Sequence, residues 1–363
     1  MYDIAVVGLG PAGAFLVGHL SKNYSVIAID KKLPGEKSAF RKPCGGLLSP
    51  DAQKSLSRFN MTLPKDILVG PQIFSVRTID VKTGLVRNYQ RHYINLDRHK
   101  FDSWLTDQIP EHVEVQGGAT CTNIVRDGDG FKITYTQNHS PRDIHAKYLV
   151  GADGASSIVR RSLFGDFRIN TYLSIQQWFA DTHNTPFYSC VFDPDITDSY
   201  AWGLTKDDSF IFGGAFKIKT ARQDFEALKE KLRPYGFRLE SPTKTEACLV
   251  LRPRWPGNYC YGGDGAFLIG EAAGFISPSS LEGISYAIDS GYALSQCLNN
   301  HKPDSHRKYR KSTRKTRVRL ALKFLKRPFL YCPLSRKLIM KSGLQAVNVL
   351  KQPDLGDTAK NLP

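Results

Sequence analysis

The sequence predicts an α/β fold, in which a Rossmann-like domain that binds a dinucleotide carries an inserted antiparallel-sheet substrate domain. Three observations predict this fold. An apolar strand and a G-x-G-x-x-G turn open the chain at residues 4–13. A second strand, turn and helix follow at residues 148–161. Residues 172–217 are rich in aromatic and β-branched side chains, which is typical of antiparallel strands.

The first motif has the residue types that a pyrophosphate site needs. Gly8 permits the tight turn, Gly10 lets the backbone approach the phosphates, and Gly13 lets the helix pack closely on the strand. Pro11 and Ala12 begin that helix, whose free N–H groups and positive dipole end favour an anion. The motif therefore predicts a dinucleotide site.

A second apolar run, residues 25–29, ends at Asp30, and Lys31 follows. The Asp30 carboxylate stands at the sequence distance at which an acid accepts hydrogen bonds from a ribose 2′-OH. An ordinary βα turn without a ligand is the alternative. The strand before the turn, the helix after it and the acid together favour the dinucleotide site.

Composition indicates a globular protein in a reducing compartment. The 363 residues are too many for one small core, and no apolar run is long enough to span a bilayer. No charged segment or cleavage site precedes the first strand, so we expect no signal peptide. The seven cysteines form no C-x-x-C pair, which favours free thiols over a metal site. We expect a cytoplasmic protein, or one peripheral on the cytoplasmic face of a membrane.

Short helices and strands alternate between the first two motifs. Pro50 at a first helical position and Asp51 in the first turn predict a helix over residues 50–59. Residues 73–81 and 85–93 alternate apolar and polar side chains around a Lys-Thr-Gly turn, which predicts a β-hairpin. The other predicted elements are a helix within 95–105 and strands at 113–115, 121–126, 131–136 and 144–148.

Two later segments repeat the strand–turn–helix pattern. The second motif ends in a Gly-Ala-Asp-Gly turn that contains Asp153 and Gly154. The third contains Gly270 and Glu271 and leads to a small-residue helix near Ile284. An amphipathic helix at 221–232 and strands at 244–253 and 259–261 are predicted between these motifs.

The three motifs together resemble those of the FAD-dependent oxidoreductases of the aromatic-hydroxylase fold, over residues 1–300. The resemblance implies FAD as the cofactor, with the first motif on its pyrophosphate and the third on its ribityl chain. Arg98 is similar to the arginine that lies along FAD, and Glu271 stands where the family has Asp. The FAD-contacting residues implied are Gly8, Gly10, Pro11, Ala12, Gly13, Asp30, Lys31, Cys44, Gly45, Gly46, Arg98, Asp153, Gly154, Gly270, Glu271, Gly283 and Ile284.

Within that superfamily, three segments resemble the geranylgeranyl reductases, which reduce isoprenoid C=C bonds. Residues 43–46 match the P-C-G-G segment, and residues 275–284 match the late segment beside the flavin. Residues 200–205 match Y-x-W-x-F-P in part, because Leu-Thr replaces Phe-Pro. This departure bears on the substrate more than on the reaction type. Of the halogenase pattern W-x-W-x-I-P only Trp202 is present, which argues against halogenation.

The resemblance implies an oxidoreductase that transfers hydride from reduced FAD to C=C bonds of an isoprenoid (geranylgeranyl-type) lipid or related apolar substrate. NAD(P)H or ferredoxin is the implied electron donor. An FAD monooxygenase that hydroxylates an aromatic or polyketide-like compound shares the three motifs and is the alternative. A flavoprotein without turnover, a membrane-bound binding or resistance factor, is a third hypothesis.

Cys44, Tyr200 and Trp202 are the candidate catalytic residues. Cys44 lies between a proline and two glycines that permit close backbone approach, and a packed loop thiol is the alternative interpretation. Tyr200 and Trp202 alternate along a predicted strand and so face one side. They line a cavity for an apolar chain or, on the simpler interpretation, pack in the core.

A basic tail carries almost all of the net charge. Residues 306–341 contain fourteen Lys and Arg and no Asp or Glu, so subtracting them from the net +16 leaves +2. Apolar residues interleave with the basic ones, which favours docking on an anionic membrane surface. A helix packed on the FAD domain with a solvated basic face is the alternative. Nucleic-acid binding is the third option. Only the positive charge supports it, because the segment contains no recognised nucleic-acid-binding motif.

The motifs divide the chain into alternating parts of two domains and a tail. The FAD-binding domain takes residues 1–72, 95–170 and 259–300, the substrate domain takes a hairpin at 73–94 and an antiparallel sheet at 171–258, and the basic helical tail takes 301–363.

Overall fold

The computed structural model describes residues 1–32, 42–165, 167–180, 187–255, 257–300 and 304–349. Two parts of the predicted tail, 301–303 and 350–363, lie outside the described residues.

The described residues form two sheets with helices packed around them. The strands are β1 (Tyr2–Val7), β2 (Val26–Asp30), β3 (Leu47–Leu48), β4 (Ile73–Asp80), β5 (Leu85–Asn95), β6 (Val113–Gly117), β7 (Ala119–Asp127), β8 (Gly130–Gln137), β9 (Ser140–Gly151), β10 (Thr171–Phe179), β11 (Tyr188–Phe192), β12 (Ala201–Lys206), β13 (Ser209–Phe216), β14 (Lys244–Leu251), β15 (Gly262–Gly263), β16 (Ala266–Leu268) and β17 (Ala346–Val347). The α-helices are α1 (Pro11–Val17), α2 (Pro50–Arg58), α3 (Arg98–Thr106), α4 (Ile158–Leu163), α5 (Ala221–Leu232), α6 (Ile284–Asn300), α7 (Ser305–Ser312), α8 (Arg314–Leu325), α9 (Arg327–Tyr331) and α10 (Pro333–Ser342).

The first sheet confirms the predicted Rossmann-like domain. Its strand order is β15-β16-β9-β1-β2-β6, and the four neighbouring pairs from β16 to β6 are parallel. Strand β2 is buried along its whole length, as the apolar run predicted, because helices or strands cover both faces of a parallel sheet. Strands β7 and β8 extend β9 as an antiparallel meander.

The second sheet has the order β14-β10-β13-β12-β11-β4-β5-β17. The predicted hairpin is present as β4 and β5, and the predicted antiparallel strands are present from β10 to β14. Strands β4 and β11 pair in parallel, because the chain leaves the hairpin, builds much of the first sheet and then returns. Helix α5 covers this sheet with Phe225, Leu228 and Leu232, all nearly inaccessible to solvent.

The tail packs against both parts of the molecule. Helix α7 contacts α6, and the buried Tyr309 hydroxyl donates to the carbonyl of Leu268 at 2.9 Å. Helix α10 contacts β5, and β17 adds an unforeseen strand to the β5 edge. The described helices include none that is both long and apolar enough to cross a bilayer. The inner face of the tail is thus a packed surface.

A buried ion pair fastens the tail to the second sheet. Arg336 Nε donates to Asp80 Oδ2 at 2.8 Å, and the two side chains are 5% and 0% exposed. Nearer the first sheet, Lys323 pairs with Asp51 at 2.9 Å and Arg319 with Asp289 at 2.8 Å. The tail itself has no carboxylates between 305 and 353, so the body supplies the acids.

A buried lysine connects the second sheet to the Pro-Cys-Gly-Gly loop. Lys206 Nζ, at the end of β12, donates to Asn95 Oδ1 at 2.7 Å, to Leu96 O at 2.6 Å and to Gly46 O at 3.4 Å. Burial lowers the pKa of Lys206 to about 8, because an ammonium group loses solvation there. Gly46 has φ +62°, and a Cβ there would collide with the Leu96 carbonyl.

We expect Asp80→Asn to destabilise the protein by about 3–5 kcal/mol, because it leaves the Arg336 cation buried without its partner. Asp195→Asn, which removes the exposed Lys82–Asp195 pair, is the matched control and should cost no more than about 1 kcal/mol. Urea unfolding measures both. Equal losses in the two variants would contradict the assignment of Asp80 as the anchor of the tail.

The stability that Lys206 contributes should rise with pH. The folded-state pKa near 8 lies below the usual 10.4, so the unfolded chain binds more protons between these values and alkali favours the folded state. Relative to Lys206→Met, the wild type should gain about 2 kcal/mol of unfolding free energy between about pH 7 and about pH 9.5. Urea unfolding of both proteins across this range tests it, and a pH-independent difference would be inconsistent with a buried, titrating lysine.

Candidate functional site

A cavity of about 620 Å³ lies where the three motifs meet the second sheet. This volume falls within the range typical of small-molecule and cofactor sites. The predicted residues that line it are Gly8, Gly10, Pro11, Ala12, Asp30, Lys31, Cys44, Gly45, Gly46, Arg98, Asp153, Gly154, Tyr200, Trp202, Glu271, Gly283 and Ile284. The structure therefore brings together residues that are far apart in the sequence.

Gly13 and Gly270 lie outside the wall of the cavity. A Cβ on Gly13 would overlap the Gly8 carbonyl oxygen, and one on Gly270 would lie 2.8 Å from the Ala12 Cβ. Gly8 has φ +99°, as a tight turn requires. Gly13 and Gly270 therefore affect a bound ligand only indirectly, by allowing α1 to pack closely.

Gly10 differs from these glycines because no contact with the described residues requires it. Its φ is −70°, and an added Cβ would meet no atom of those residues within 4 Å. The open space beside Gly10 belongs to the cavity. A glycine whose side-chain space faces a cavity fits the close approach of a pyrophosphate.

Asp30 and Asp153 both face the cavity but differ in how their oxygens are satisfied. Asp30 accepts hydrogen bonds from the backbone N–H groups of Leu9 and Lys32, so it also shapes the first turn. Asp153 Oδ2 accepts from Ile158 N at 2.6 Å, whereas its buried Oδ1 has no partner among the described residues. Burial raises the pKa of Asp153. An unpartnered buried oxygen fits a hydroxyl donor on a bound cofactor.

Arg98 belongs to a buried charge network at the start of α3. Its Nε donates to Asp102 Oδ1 at 2.8 Å, and Lys32 Nζ lies 3.3 Å from Asp102 Oδ2. Burial opposes ionisation of Asp102, but Arg98 and Lys32 outweigh it and lower the pKa. Cys44 of the glycine loop lines the same cavity as Arg98.

Glu271 is held by the protein itself. Its Oε2 accepts from Lys42 Nζ at 2.6 Å, and its Oε1 accepts from the backbone N–H of Leu251 at 2.9 Å. Burial opposes the charge on Lys42, but Glu271 outweighs it and raises the pKa of that lysine. No sequence motif indicates Lys42, which directly precedes the predicted loop. The pair joins the loop to the third motif.

The part of the cavity along the second sheet is aromatic. Tyr200 and Trp202 line it together, with ring centroids 5.8 Å apart, as their alternation predicted. The buried Trp202 Nε1 has no partner among the described residues and lies 3.6 Å from where a Cβ on Gly45 would be. Tyr188 also lines the cavity, and the Tyr200 hydroxyl donates to Ser280 O at 2.6 Å. Sequence patterns gave no signal for Tyr188.

Glu282 is the acid at this aromatic end. Its Oε1 accepts from the Tyr93 hydroxyl at 3.4 Å, and Lys323 Nζ from the tail lies 3.9 Å from its Oε2. Burial raises the pKa of Glu282, although Lys323 opposes the shift. Both Tyr93 and Glu282 line the cavity. The position thus holds a carboxyl group biased towards its protonated form.

Gly10→Thr should weaken FAD binding at least tenfold, because the threonine side chain would enter the space beside the implied pyrophosphate. The unfolding free energy of the apoprotein should change by less than about 0.5 kcal/mol, since Thr and Gly serve equally well at a helix N-cap. Gly13→Ala is the contrast, because it should destabilise the fold itself. Flavin-fluorescence titration and urea unfolding separate the two effects. FAD binding unchanged in Gly10→Thr would contradict the assignment of this space.

Comparisons with known proteins agree with this geometry. A family model described as "FAD binding domain" matches residues 66–208. The structure resembles a geranylgeranyl bacteriochlorophyll reductase-like protein from Thermoplasma acidophilum with a TM-score of 0.78 at 18% identity, covering 99% of this chain and 95% of that one. It also resembles PqsL, a probable FAD-dependent monooxygenase from Pseudomonas aeruginosa, with a TM-score of 0.67 at 16% identity, covering 94% and 99%.

These two structural likenesses show a shared fold, and the family match supports FAD as the cofactor. In sequence, the chain is 49% identical to Protein CbrA of Escherichia coli O9:H4 (strain HS). The alignment spans 351 residues and covers 96% of each protein. The chain therefore belongs to the CbrA family.

Proposed function

We propose that this protein reduces C=C bonds in an isoprenoid lipid or a related apolar substrate. The observation that carries the proposal is the presence of a partly buried acid with a raised pKa, Glu282, in the same cavity that the cofactor motifs line. Saturating a C=C bond requires a hydride for one carbon and a proton for the other. Reduced FAD, when bound, supplies the hydride, and NAD(P)H or ferredoxin is the proposed source of its electrons.

The aromatic end of the cavity suits an apolar chain. Tyr188, Tyr200, Trp202, Leu204 and Ile276 line it, and their rings and alkyl groups exclude water from a bound substrate. The Tyr200 hydroxyl donates to Ser280 O, so it does not demand a polar partner on the ligand. We therefore assign Tyr200 and Trp202 to substrate contact.

Glu282 is the proposed proton donor. The protonated carboxyl releases its proton to one carbon of the C=C bond while the other carbon receives the hydride, which leaves a saturated bond and a Glu282 carboxylate. Lys323, 3.9 Å away, stabilises that carboxylate until a proton from solvent replaces the one transferred. Tyr93 donates to Glu282 Oε1 and orients the group.

Cys44 is proposed to position the loop. Its sulfur accepts from the Gly46 N–H at 3.4 Å. Gly46 in turn is fixed by Lys206. These contacts place the loop backbone beside the cavity, where Gly45 packs against the Trp202 ring.

Monooxygenation is the second candidate, because the same fold is found in PqsL, which is described as a probable FAD-dependent monooxygenase. The deciding experiment mixes photoreduced holoprotein, without oxygen, with a geranylgeranyl lipid in detergent. We expect the absorbance of oxidised flavin to return and mass spectrometry to find a product heavier by two hydrogens per bond reduced. Inertness towards the lipid, combined with hydroxylation of an aromatic compound in oxygenated buffer, would replace this proposal with the monooxygenase.

Glu282→Gln should lower the rate of lipid reduction by about 10²–10⁴-fold, the usual contribution of a positioned proton donor. The wild-type rate should fall as pH rises through the raised pKa of Glu282, and this limb should be absent in the variant. Cys44→Ala is the matched comparison, because it removes a cavity-lining proton-bearing group while Glu282 remains. A loss of the pH limb in Cys44→Ala rather than in Glu282→Gln would assign the proton transfer to the thiol.

A further inference from the structure

The outer face of the tail is apolar, whereas a helix face that meets water is normally polar. In α10, Arg336 and Met340 point inward and are 4% and 1% exposed. Leu334 and Leu338, one helical turn apart on the other side, are 74% and 70% exposed. The helix thus buries an arginine and presents leucines.

Helix α8 repeats this arrangement. Thr316 and Leu320 face the body and are buried, whereas Val318, Leu322 and Leu325 lie on the opposite side and are 52–66% exposed. Their spacing of four and three residues places them in one stripe. Phe329 in α9, between the two helices, is also 58% exposed. Exposed apolar side chains are therefore concentrated on the tail, which is the mark of an interaction surface.

The charge of this surface identifies the occupant. Lys326, Lys337 and Lys341 are exposed among the apolar residues, and the sequence has no acid from 305 to 353. The cations that face inward, Lys323 and Arg336, are already paired with carboxylates of the body. The exposed lysines thus remain for an external anion. A second copy of this chain would bring the same positive charges against them, whereas an anionic lipid surface complements both the lysines and the leucines.

We propose that the outer face of α8, α9 and α10 docks the protein on an anionic bilayer. The leucines and Phe329 enter the boundary between headgroups and acyl chains, and the exposed lysines contact lipid phosphates. Since only surface residues are involved, this docking does not depend on which reaction the cavity catalyses.

Co-sedimentation of the full-length holoprotein with vesicles tests the apolar contacts. The vesicles are phosphatidylcholine with about one third phosphatidylglycerol, and pure phosphatidylcholine is the lipid control. Leu334→Gln/Leu338→Gln should weaken binding at least roughly tenfold, because two buried leucines are lost from the interface. Trp255→Gln, which changes a residue 71% exposed outside the tail, should bind like the wild type. Equal pelleting of the leucine variant and the wild type would overturn the proposal.

The lysines are tested by the salt dependence of the same measurement. Replacing Lys326, Lys337 and Lys341 with Gln should weaken binding roughly 100-fold at low salt, and replacing three exposed lysines elsewhere, Lys22, Lys65 and Lys219, should have much less effect. Equal losses in the two triple variants would mean that net charge alone drives binding and would overturn the assigned surface.

Hydrogen exchange on the wild-type holoprotein gives a test without variants. Anionic vesicles should slow amide exchange selectively in residues 314–344. Sedimentation velocity without lipid tests whether a second copy of the chain covers this face instead. A dimer that is dissociated by Leu334→Gln/Leu338→Gln would show that it does, and would overturn bilayer docking.

Discussion

The close packing of small residues around α1 is the constraint on which the rest of the structure depends. A Cβ on Gly13 would overlap the Gly8 carbonyl, and one on Gly291 would overlap the carbonyl of Ala12. A Cβ on Gly270 would press against the side chain of Ala12. These residues come from the first motif, the third motif and α6. Because only small residues permit these contacts, three distant segments meet at one point, beside the cavity that Gly10, Ala12 and Glu271 line.

Elements set by nearby residues were predictable from the sequence, and contacts between distant segments were not. The hairpin β4–β5 and helix α5 follow from alternation and helical periodicity, and the fold class follows from the glycine motifs. The Lys42–Glu271 pair joins residues with no shared pattern. The fourteen basic residues within 306–341 follow no pattern that would single out Arg336 as the one buried against Asp80. The roles of the predicted site residues in catalysis stay predictions.

The tail has two different faces: basic residues paired with carboxylates lie towards the body, and exposed apolar residues lie on the opposite side. A chain segment with many cations and no acids repels itself, and carboxylates supplied by the body offset this repulsion. Asp51, Asp80 and Asp289 do so at separate points. Each ion pair turns a basic residue inward and, by helical geometry, turns a leucine of α8 or α10 outward. The exposed apolar surface is thus a consequence of how the tail is anchored.

Lys323 links this anchoring to the chemistry of the cavity. It lies on α8, pairs with Asp51 at 2.9 Å and approaches Glu282 to 3.9 Å, while Leu322 beside it in sequence is exposed. A positive charge at this distance favours the carboxylate form of Glu282, whereas burial favours the acid form. The balance suits the proton donor proposed above. Movement of α8 away from the body would remove this positive charge and so would raise the pKa of Glu282 further.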